Sequence, residues 1–421
     1  MEHDGTIERA LPGRPPPAPP WGQRLCYDAP ALEARLAPDE ACREEVAVVL
    51  GAGGAFGPDV VRGLVRRGLG LVVGADVQLS YPVPGVVYRR VDLADPRALD
   101  RFLGDVWALA RERGLRPGPV FDLSTIQTSP RRDADRDALE HGKASLVDVL
   151  CRGEGDRRLF FMSTAEIYGA PPGAPYREDR TPAPFNAYGR AKQREERDVL
   201  DGHDRRTRRG RLRVVALRSW TIAMVETAPD GAVVEARNYN DPIVFVAQAL
   251  ARAGVRVPVT DPSLLGTFHL GEEVAEVAVK LGCAPPDAPT WGRAFNQTGR
   301  PASHGAIRDV LYDVFADAGD ARPPWGPLAA RALAGGRLPE RAIERLARAL
   351  ERTGGLLGAR DVAGRLPFLY RSTHLDTTAL TEALGDALRE PGDTREAVRR
   401  LATGLLEGGP HALNQRRYRS Y

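Results

Sequence analysis

A chain that must leave an apolar strand and enter a helix through a run of glycines has few folds open to it, and residues 46–68 make that demand. VAVVLGAG (46–53) reads as a buried strand, and it runs into Gly51-Ala52-Gly53-Gly54-Ala55-Phe56-Gly57. The amphipathic stretch DVVRGLVRRG (59–68) follows at once and reads as a helix. Such a turn needs one residue without a Cβ to bend, a second so that backbone can approach a ligand, and a third where helix packs on strand. The helix start then offers free N–H groups and a partial positive charge, which suits a phosphate. The spacing is Gly51-x2-Gly54-x2-Gly57 with no GK[ST] after it, which excludes a P-loop. Gly51, Gly53, Gly54, Ala55, Phe56 and Gly57 are therefore the predicted phosphate-binding residues.

The alternation continues downstream. LGLVVGADV (69–77), VVYRRVDL (86–93), PVFDLST (119–125), RLFFMST (158–164) and LRVVALRSW (212–220) read as strands. Segments near 97–113, 134–152 and 187–200 between them read as helices. Strands recurring between helices at this spacing imply βαβ units and a parallel sheet. The predicted fold class is α/β, a doubly wound parallel sheet of Rossmann type. With 421 residues the chain has room for two to three domains. The expected division is a flexible Pro-rich arm (1–27), a nucleotide-binding domain (28–225), a smaller substrate-binding region (226–324) and a helical C-terminal extension (325–421). Helices are expected near 243–254, 272–282, 376–389 and 393–407, and in RAIERLARALERTGG (341–355), where Ile343, Leu346, Ala347 and Leu350 share a face.

The second strand ends at Asp76, 19 residues past Gly57. A carboxylate there can accept hydrogen bonds from the adenosine ribose hydroxyls. Val77 and Gln78 supply no arginine to receive a 2′-phosphate, so NAD is expected over NADP. Further on, Tyr188 and Lys192 form YGRAK. On a helix, positions i and i+4 share one face. An ammonium near the phenol favours phenolate and lowers the tyrosine pKa from about 10, which makes Tyr188 usable as an acid/base near neutrality. Lysine is rare here: Lys143, Lys192 and Lys280 stand against 56 arginines. Where lysine survives such a bias, an ammonium serves better than a guanidinium. The fifth strand runs into Ser163-Thr164-Ala165-Glu166-Ile167-Tyr168-Gly169, placing a hydroxyl at a strand end beside the tyrosine.

The glycine loop, Asp76, the VDL around Asp92, the STAEIYG run and YGRAK stand in the order of the extended short-chain dehydrogenase/reductase family, and they resemble its NAD-dependent epimerase/dehydratase branch. VVALRSW, FHLGEEVAEV and FNQTGRP are similar to its later signatures, so the likeness covers roughly 46–318. The resemblance implies a triad in which Thr164 orients the substrate oxygen, Tyr188 is the acid/base, and Lys192 holds the nicotinamide ribose and tunes the tyrosine. It places Asp92 and Leu93 against the adenine, and Leu123, Ser124 and Thr125 along the cofactor. Glu166 falls where dehydrating members carry a base, although Ala165 stands where they have an acid or a serine. The implied activity is epimerisation or dehydration of a sugar-like, nucleotide-linked substrate through transient oxidation of a hydroxyl. The alternative is an NAD(P)-dependent oxidoreductase acting on a non-nucleotide alcohol or carbonyl. That alternative draws on two departures: Arg218-Ser219-Trp220-Thr221 lacks the family's asparagine, and Gly266-Thr267 replaces an Arg-Asp pair that helps hold a diphosphate. By rough position, Arg237 or Arg256 could take over that grip.

A net charge of +3 does not argue for nucleic acid, and RRTRRGRLR (205–213) reads as a solvated turn. No apolar run reaches a membrane helix, and the N-terminus lacks the apolar middle of a secretory signal, so a cytoplasmic protein is expected. Neither a CxxC pair nor a histidine spacing suggests a metal. His269 and His374 are expected as packed or capping residues. A small-molecule substrate is the expected partner, with a homodimer by analogy to the family.

Overall fold

The computed structural model describes residues 8–9, 39–125, 143–237, 261–317 and 371–407, apart from 78–80, 170 and 229, together with the single residues 139, 140, 247, 251, 259 and 345. Nearly all of the Pro-rich arm, almost all of the helix expected at 243–254 and nearly all of the run at 341–355 lie outside the described residues.

Seven strands run parallel in one sheet. They are β1 (Glu45–Leu50), β2 (Leu71–Asp76), β3 (Val87–Arg90), β4 (Arg116–Asp122), β5 (Arg157–Met162), β6 (Gly210–Ser219) and β11 (Arg293–Gln297), in the spatial order β3-β2-β1-β4-β5-β6-β11. The chain winds outward from β1 to β3 and then returns to lay β4 on the other side of β1. Strand order reverses at the β1/β4 seam, which is where an open α/β sheet forms a ligand crevice at the carboxyl ends of its strands.

Alternate side chains along each strand feed two cores. Ala47, Val49, Phe121, Phe160, Val215 and Phe295 face α1 (Gly57–Arg67) and α5 (Gly271–Gly282). Val46, Val48, Leu50, Leu159, Phe161 and Val214 face α2 (Pro96–Glu112), α3 (Leu146–Cys151) and α4 (Ala187–Leu200). Both faces are covered, so these strands read as continuous apolar runs. The sheet is not finished within the first half of the chain. Its edge strand β11 and the covering helix α5 come from residues 271–297, beyond the stretch 28–225 expected to carry the nucleotide-binding domain.

A smaller third core sits over the carboxyl edge. β7 (Thr221–Ala223) pairs in parallel with β10 (Phe268–Leu270), and β8 (Val225–Thr227) forms a hairpin with β9 (Val233–Ala236). Helix α6 (His304–Asp317) and the C-terminal α8 (Thr394–Glu407) bury Val310, Leu311, Phe315, Val398, Leu401 and Leu405 with them. Just before it, α7 (Thr378–Leu384) inserts Leu380 into the α5 side of the main core. The two C-terminal helical patterns seen in the sequence thus pack as helices against the rest of the protein.

The seat of α5 on the sheet is narrow: a Cβ at Gly282 would overlap the Phe121 ring. Overpacking of a tight core costs about 1–3 kcal/mol. Gly282→Ala is expected to lower the urea midpoint by that free energy, with the slope of the transition unchanged.

Candidate functional site

The glycine loop lies at the β1/β4 seam. Gly51 adopts φ +83°, and a Cβ there would come within 2.8 Å of the Ser124 amide nitrogen, so β1 and the end of β4 touch through backbone. A Cβ at Gly57 would overlap the Ala52 carbonyl. Phe56, the residue before α1, supplies no capping side chain, and Pro58 occupies the first turn. Pro58 has no N–H and the Asp59 N–H donates to the Phe56 carbonyl at 3.2 Å, so this helix start offers the positive end of its dipole more than a set of open amides. The Asp76 carboxylate reaches back to the loop and accepts the Gly53 N–H at 3.0 Å. Glycines closing on neighbouring backbone, an uncapped helix start and a carboxylate at the end of β2 fit a dinucleotide. Of the three residues expected along the cofactor, Ser124 lies against Gly51, Leu123 is packed in the α5-side core and Thr125 is exposed. Asp92 is exposed and accepts the Ala94 N–H of its own turn, and Leu93 is buried in the opposite core.

The second constellation forms where β5 meets α4. Thr164 is buried, and its Oγ1 accepts the Glu166 N–H at 3.2 Å to start a single 3-10 turn, Ala165–Tyr168. That geometry leaves its hydroxyl hydrogen to be donated elsewhere. Glu166 is held by Asn186, whose Nδ2 donates to Oε2 at 2.6 Å, while Asn186 Oδ1 caps α4 by accepting the Gly189 N–H at 2.7 Å. Tyr188 is half-buried in the first turn of α4. Lys192, one turn later, is buried and donates to the Met162 carbonyl at 3.1 Å. The structure thus joins the end of β5 to the tyrosine-bearing helix through Glu166, Lys192 and a bond from Ser163 to Glu196.

Behind this edge lies a chain of buried polar groups. Glu196 accepts from Ser163 Oγ and pairs with Arg218 Nε and Nη2. Arg218 Nη1 donates to the Tyr168 hydroxyl at 2.6 Å, that hydroxyl donates to Asn296 Oδ1 at 2.9 Å, and Asn296 Nδ2 donates to the Tyr176 carbonyl. Burial pushes the Tyr168 phenol above its ordinary range, so it stays protonated as a donor in this chain. Glu195, Lys143 and Asp122 form a further buried cluster beside Lys192. Ser163 and Tyr168 lie in the STAEIYG run, Asp122 in PVFDLST, Arg218 in RSWT and Asn296 in FNQTGRP, whereas Lys143, Tyr176, Glu195 and Glu196 lie outside every stretch that the sequence singles out for chemistry. The scarcity of lysine was the one signal that could have drawn attention to Lys143.

Arg237 is not placed to grip a diphosphate. It is fully buried, pairs with Asp59 at 2.6 Å and Glu226 at 3.1 Å, and donates to the Ala55 carbonyl of the glycine loop at 2.7 Å. It supports the loop from beneath. Arg256 lies outside the described residues. The arginines of 205–213 form surface pairs instead, Arg205 with Asp148, Arg209 with Glu154, and Arg211 and Arg213 with Asp204.

At the carboxyl ends of β6 and β11 there is a cavity of about 70 Å³, walled by His269, Gln297, Thr298 and Glu273 and covered by Leu380 and Gly392. His269 Nε2 meets Ser219 Oγ at 2.6 Å, and burial drives its imidazole down to about 3, so the ring is neutral. His269 Nδ1, Gln297 Oε1 and Thr298 Oγ1 are buried without a hydrogen-bond partner. Such atoms suit a ligand carrying hydroxyls. Among the described residues no group of side chains could hold a metal ion, and no helix is long and apolar enough to cross a membrane.

Residues 47–219 match the NAD dependent epimerase/dehydratase family. A UDP-glucose 4-epimerase of Azospirillum brasilense is 27% identical over 200 residues, 45% of this chain and 53% of that protein, so the chain spans about half the length of the curated relative it matches. Among solved structures, the Bordetella bronchiseptica enzyme WbmG in complex with NAD is similar at 17% identity and a TM-score of 0.56, covering 85% of this chain and 93% of that one. The UDP-glucose 4-epimerase of Thermotoga maritima, with UDP-glucose, is 18% identical with a TM-score of 0.56, covering 85% of this chain and 98% of that one. At these identities the likeness is one of fold, a doubly wound α/β sheet with a helical C-terminal region.

Gly57→Ala pushes α1 off the loop without touching Tyr188 or Lys192. It is expected to weaken NAD binding by roughly tenfold or more, about 1.4 kcal/mol, in a protein that still melts cooperatively; titration calorimetry beside a thermal melt checks both.

Proposed function

We propose, on the premise that residues 47–219 are a domain of the NAD-dependent epimerase/dehydratase family, that this protein is an NAD-dependent epimerase or dehydratase acting on a sugar-like, nucleotide-linked substrate. The observation that carries the reading is the junction of β5 with α4. It gathers Thr164, Glu166, Tyr188 and Lys192 on the sheet edge that also bears the glycine loop.

The glycine loop, the start of α1 and Asp76 hold the cofactor, with the carboxylate favouring a free ribose over a 2′-phosphate. NAD, when bound, supplies reversible hydride acceptance. Thr164 donates its hydroxyl hydrogen to the substrate oxygen and fixes its position. Tyr188, kept acidic by the Lys192 ammonium one turn away, takes the proton from the substrate hydroxyl as the carbon beneath it is oxidised. The resulting ketone acidifies the neighbouring C–H. Glu166, aimed by Asn186, removes that proton and can pass it to the hydroxyl that leaves the next carbon as water, which completes an elimination; where no hydroxyl leaves, return of hydride from the bound cofactor at the other face would give inversion. The cavity beside His269, Gln297 and Thr298 offers partners for further substrate hydroxyls.

One observation favours the second reading, an NAD(P)-dependent oxidoreductase on a non-nucleotide alcohol or carbonyl. Gly266-Thr267 supplies no charge to a diphosphate, and Arg237 is buried against Asp59 and Glu226. Denaturing protein purified without added nucleotide separates the two. Stoichiometric release of NAD supports a cofactor recycled within each turnover, and an empty protein with weak NAD affinity favours the oxidoreductase. Tyr188→Phe is expected to lower turnover by about 10²–10⁴-fold with NAD affinity retained. Unchanged turnover in that variant would sink both catalytic readings.

A further inference from the structure

Two of the three lysines in this chain lie within reach of one carboxylate oxygen. Glu195 Oε2 is 2.8 Å from Lys143 Nζ and 3.2 Å from Lys192 Nζ. Lys143 also lies 3.1 Å from Asp122 Oδ2 and donates to the Ser124 carbonyl at 2.8 Å. Both ammonium groups stand over the ring of Phe161, at 5.4 and 4.6 Å from its centre. All four charged side chains are at least nine-tenths buried. Two cations and two carboxylates balance, which is what allows the set to be buried at all. Compact ammonium groups can share a single oxygen in this way, whereas the planar fork of a guanidinium is suited to both oxygens of a carboxylate.

The charges act on one another. Burial would raise the Glu195 carboxyl, but Lys143 and Lys192 hold it down at about 2. Burial lowers Lys192, Glu195 pulls it back up, and the charge of Lys143 pushes it down again. The remaining charged groups on this side of α4 are accounted for. Glu196 faces away to Ser163 and Arg218, Arg194 pairs outward with Glu140, and Glu166 is bound to Asn186.

The geometry points to Lys143 as a positioning residue of the reaction centre: through the shared Glu195 oxygen it sets where the Lys192 ammonium sits on the face of α4 that carries Tyr188, and through the Ser124 carbonyl it ties the cofactor-lining end of β4 to that helix. This rests on the acid/base reading of Tyr188 and Lys192 above. Without Lys143, Glu195 and Asp122 act on Lys192 alone, and the region around the phenol carries one more negative charge. Without the Glu195 charge the imbalance has the opposite sign. Removing both restores neutrality.

The test needs neither substrate nor cofactor. Tyrosinate absorbance is titrated for the protein and for Lys143→Met, Glu195→Gln and the double variant, and each curve is taken as a difference from the same background carrying Tyr188→Phe. The Tyr188 midpoint is expected to rise by about one pH unit in Lys143→Met, a tenfold change in proton affinity. It is expected to fall in Glu195→Gln and to return close to the starting value in the double variant. Midpoints that coincide in folded single variants would overturn the proposal, leaving Lys143 a purely structural staple. If Lys143→Met does not fold, the fall in Glu195→Gln and its reversal in the double variant decide the matter alone. A starting midpoint at the ordinary tyrosine value would instead overturn the acid/base reading of Tyr188, an outcome separate from the shifts between variants.

Discussion

The buried pair between Glu196 and Arg218 fixes how α4 sits against β6, and the edge of the sheet that bears the candidate site is assembled around it. Arg218 presents its guanidinium fork to a carboxylate that also accepts from Ser163. Either ion alone in that place would cost several kcal/mol, so the two elements cannot slide apart without leaving a charge unpaired. The remaining Arg218 hydrogens run into Tyr168 and the Glu178 carbonyl, and from Tyr168 the bonding continues to Asn296 on β11. One polar chain thereby spans β5, α4, β6 and β11. Thr164 follows Ser163 directly, and Tyr188 lies about two turns before Glu196 on the same helix, so both are carried by elements that this chain ties together.

A second set of charges works on the opposite side of α4. Consecutive glutamates on this helix point to different tasks, Glu196 toward the Arg218 chain and Glu195 toward the lysine pair. The glycine loop has an analogous support in Arg237, which arrives from the segment after β9 and binds both the loop carbonyl and the first turn of α1. Each part of the candidate site is thus braced by a buried cation with its own carboxylates. Satisfied networks of this kind rigidify a site because every alternative arrangement strands a polar group in a poorly solvating interior.

The fold was largely legible because its signals are local. β1, the glycine turn, α1 and β2 follow from an apolar run, three glycines and a 3.6-residue period, all within 46–77. The i, i+4 spacing of Tyr188 and Lys192 is likewise a property of one helix. What could not be read depends on contacts far apart in the chain. Lys143 and Glu195 are 52 residues apart, and Arg237 and Asp59 are 178 apart. Rough position alone makes Arg237 a candidate for a diphosphate grip, and position in the sequence says nothing of the two carboxylates that claim it. The placement of β11 in the main sheet is similar: RAFNQ is a short stretch with two apolar residues, and its partner, β6, lies some 80 residues earlier.

The sequence by itself determined the doubly wound sheet, the glycine turn, the carboxylate that follows it and the tyrosine–lysine pair, because strand and helix periodicity and helix-face neighbours are encoded within a few turns of chain. Only the tertiary structure decided which charges are buried together and which polar atoms face a cavity: that Lys192 shares its carboxylate with Lys143, that Arg237 braces the glycine loop, and that His269, Gln297 and Thr298 wall a small cavity. The physical reason is that burial and charge pairing are set by packing between distant segments, and a charged side chain looks the same in sequence whether water or another charge will solvate it.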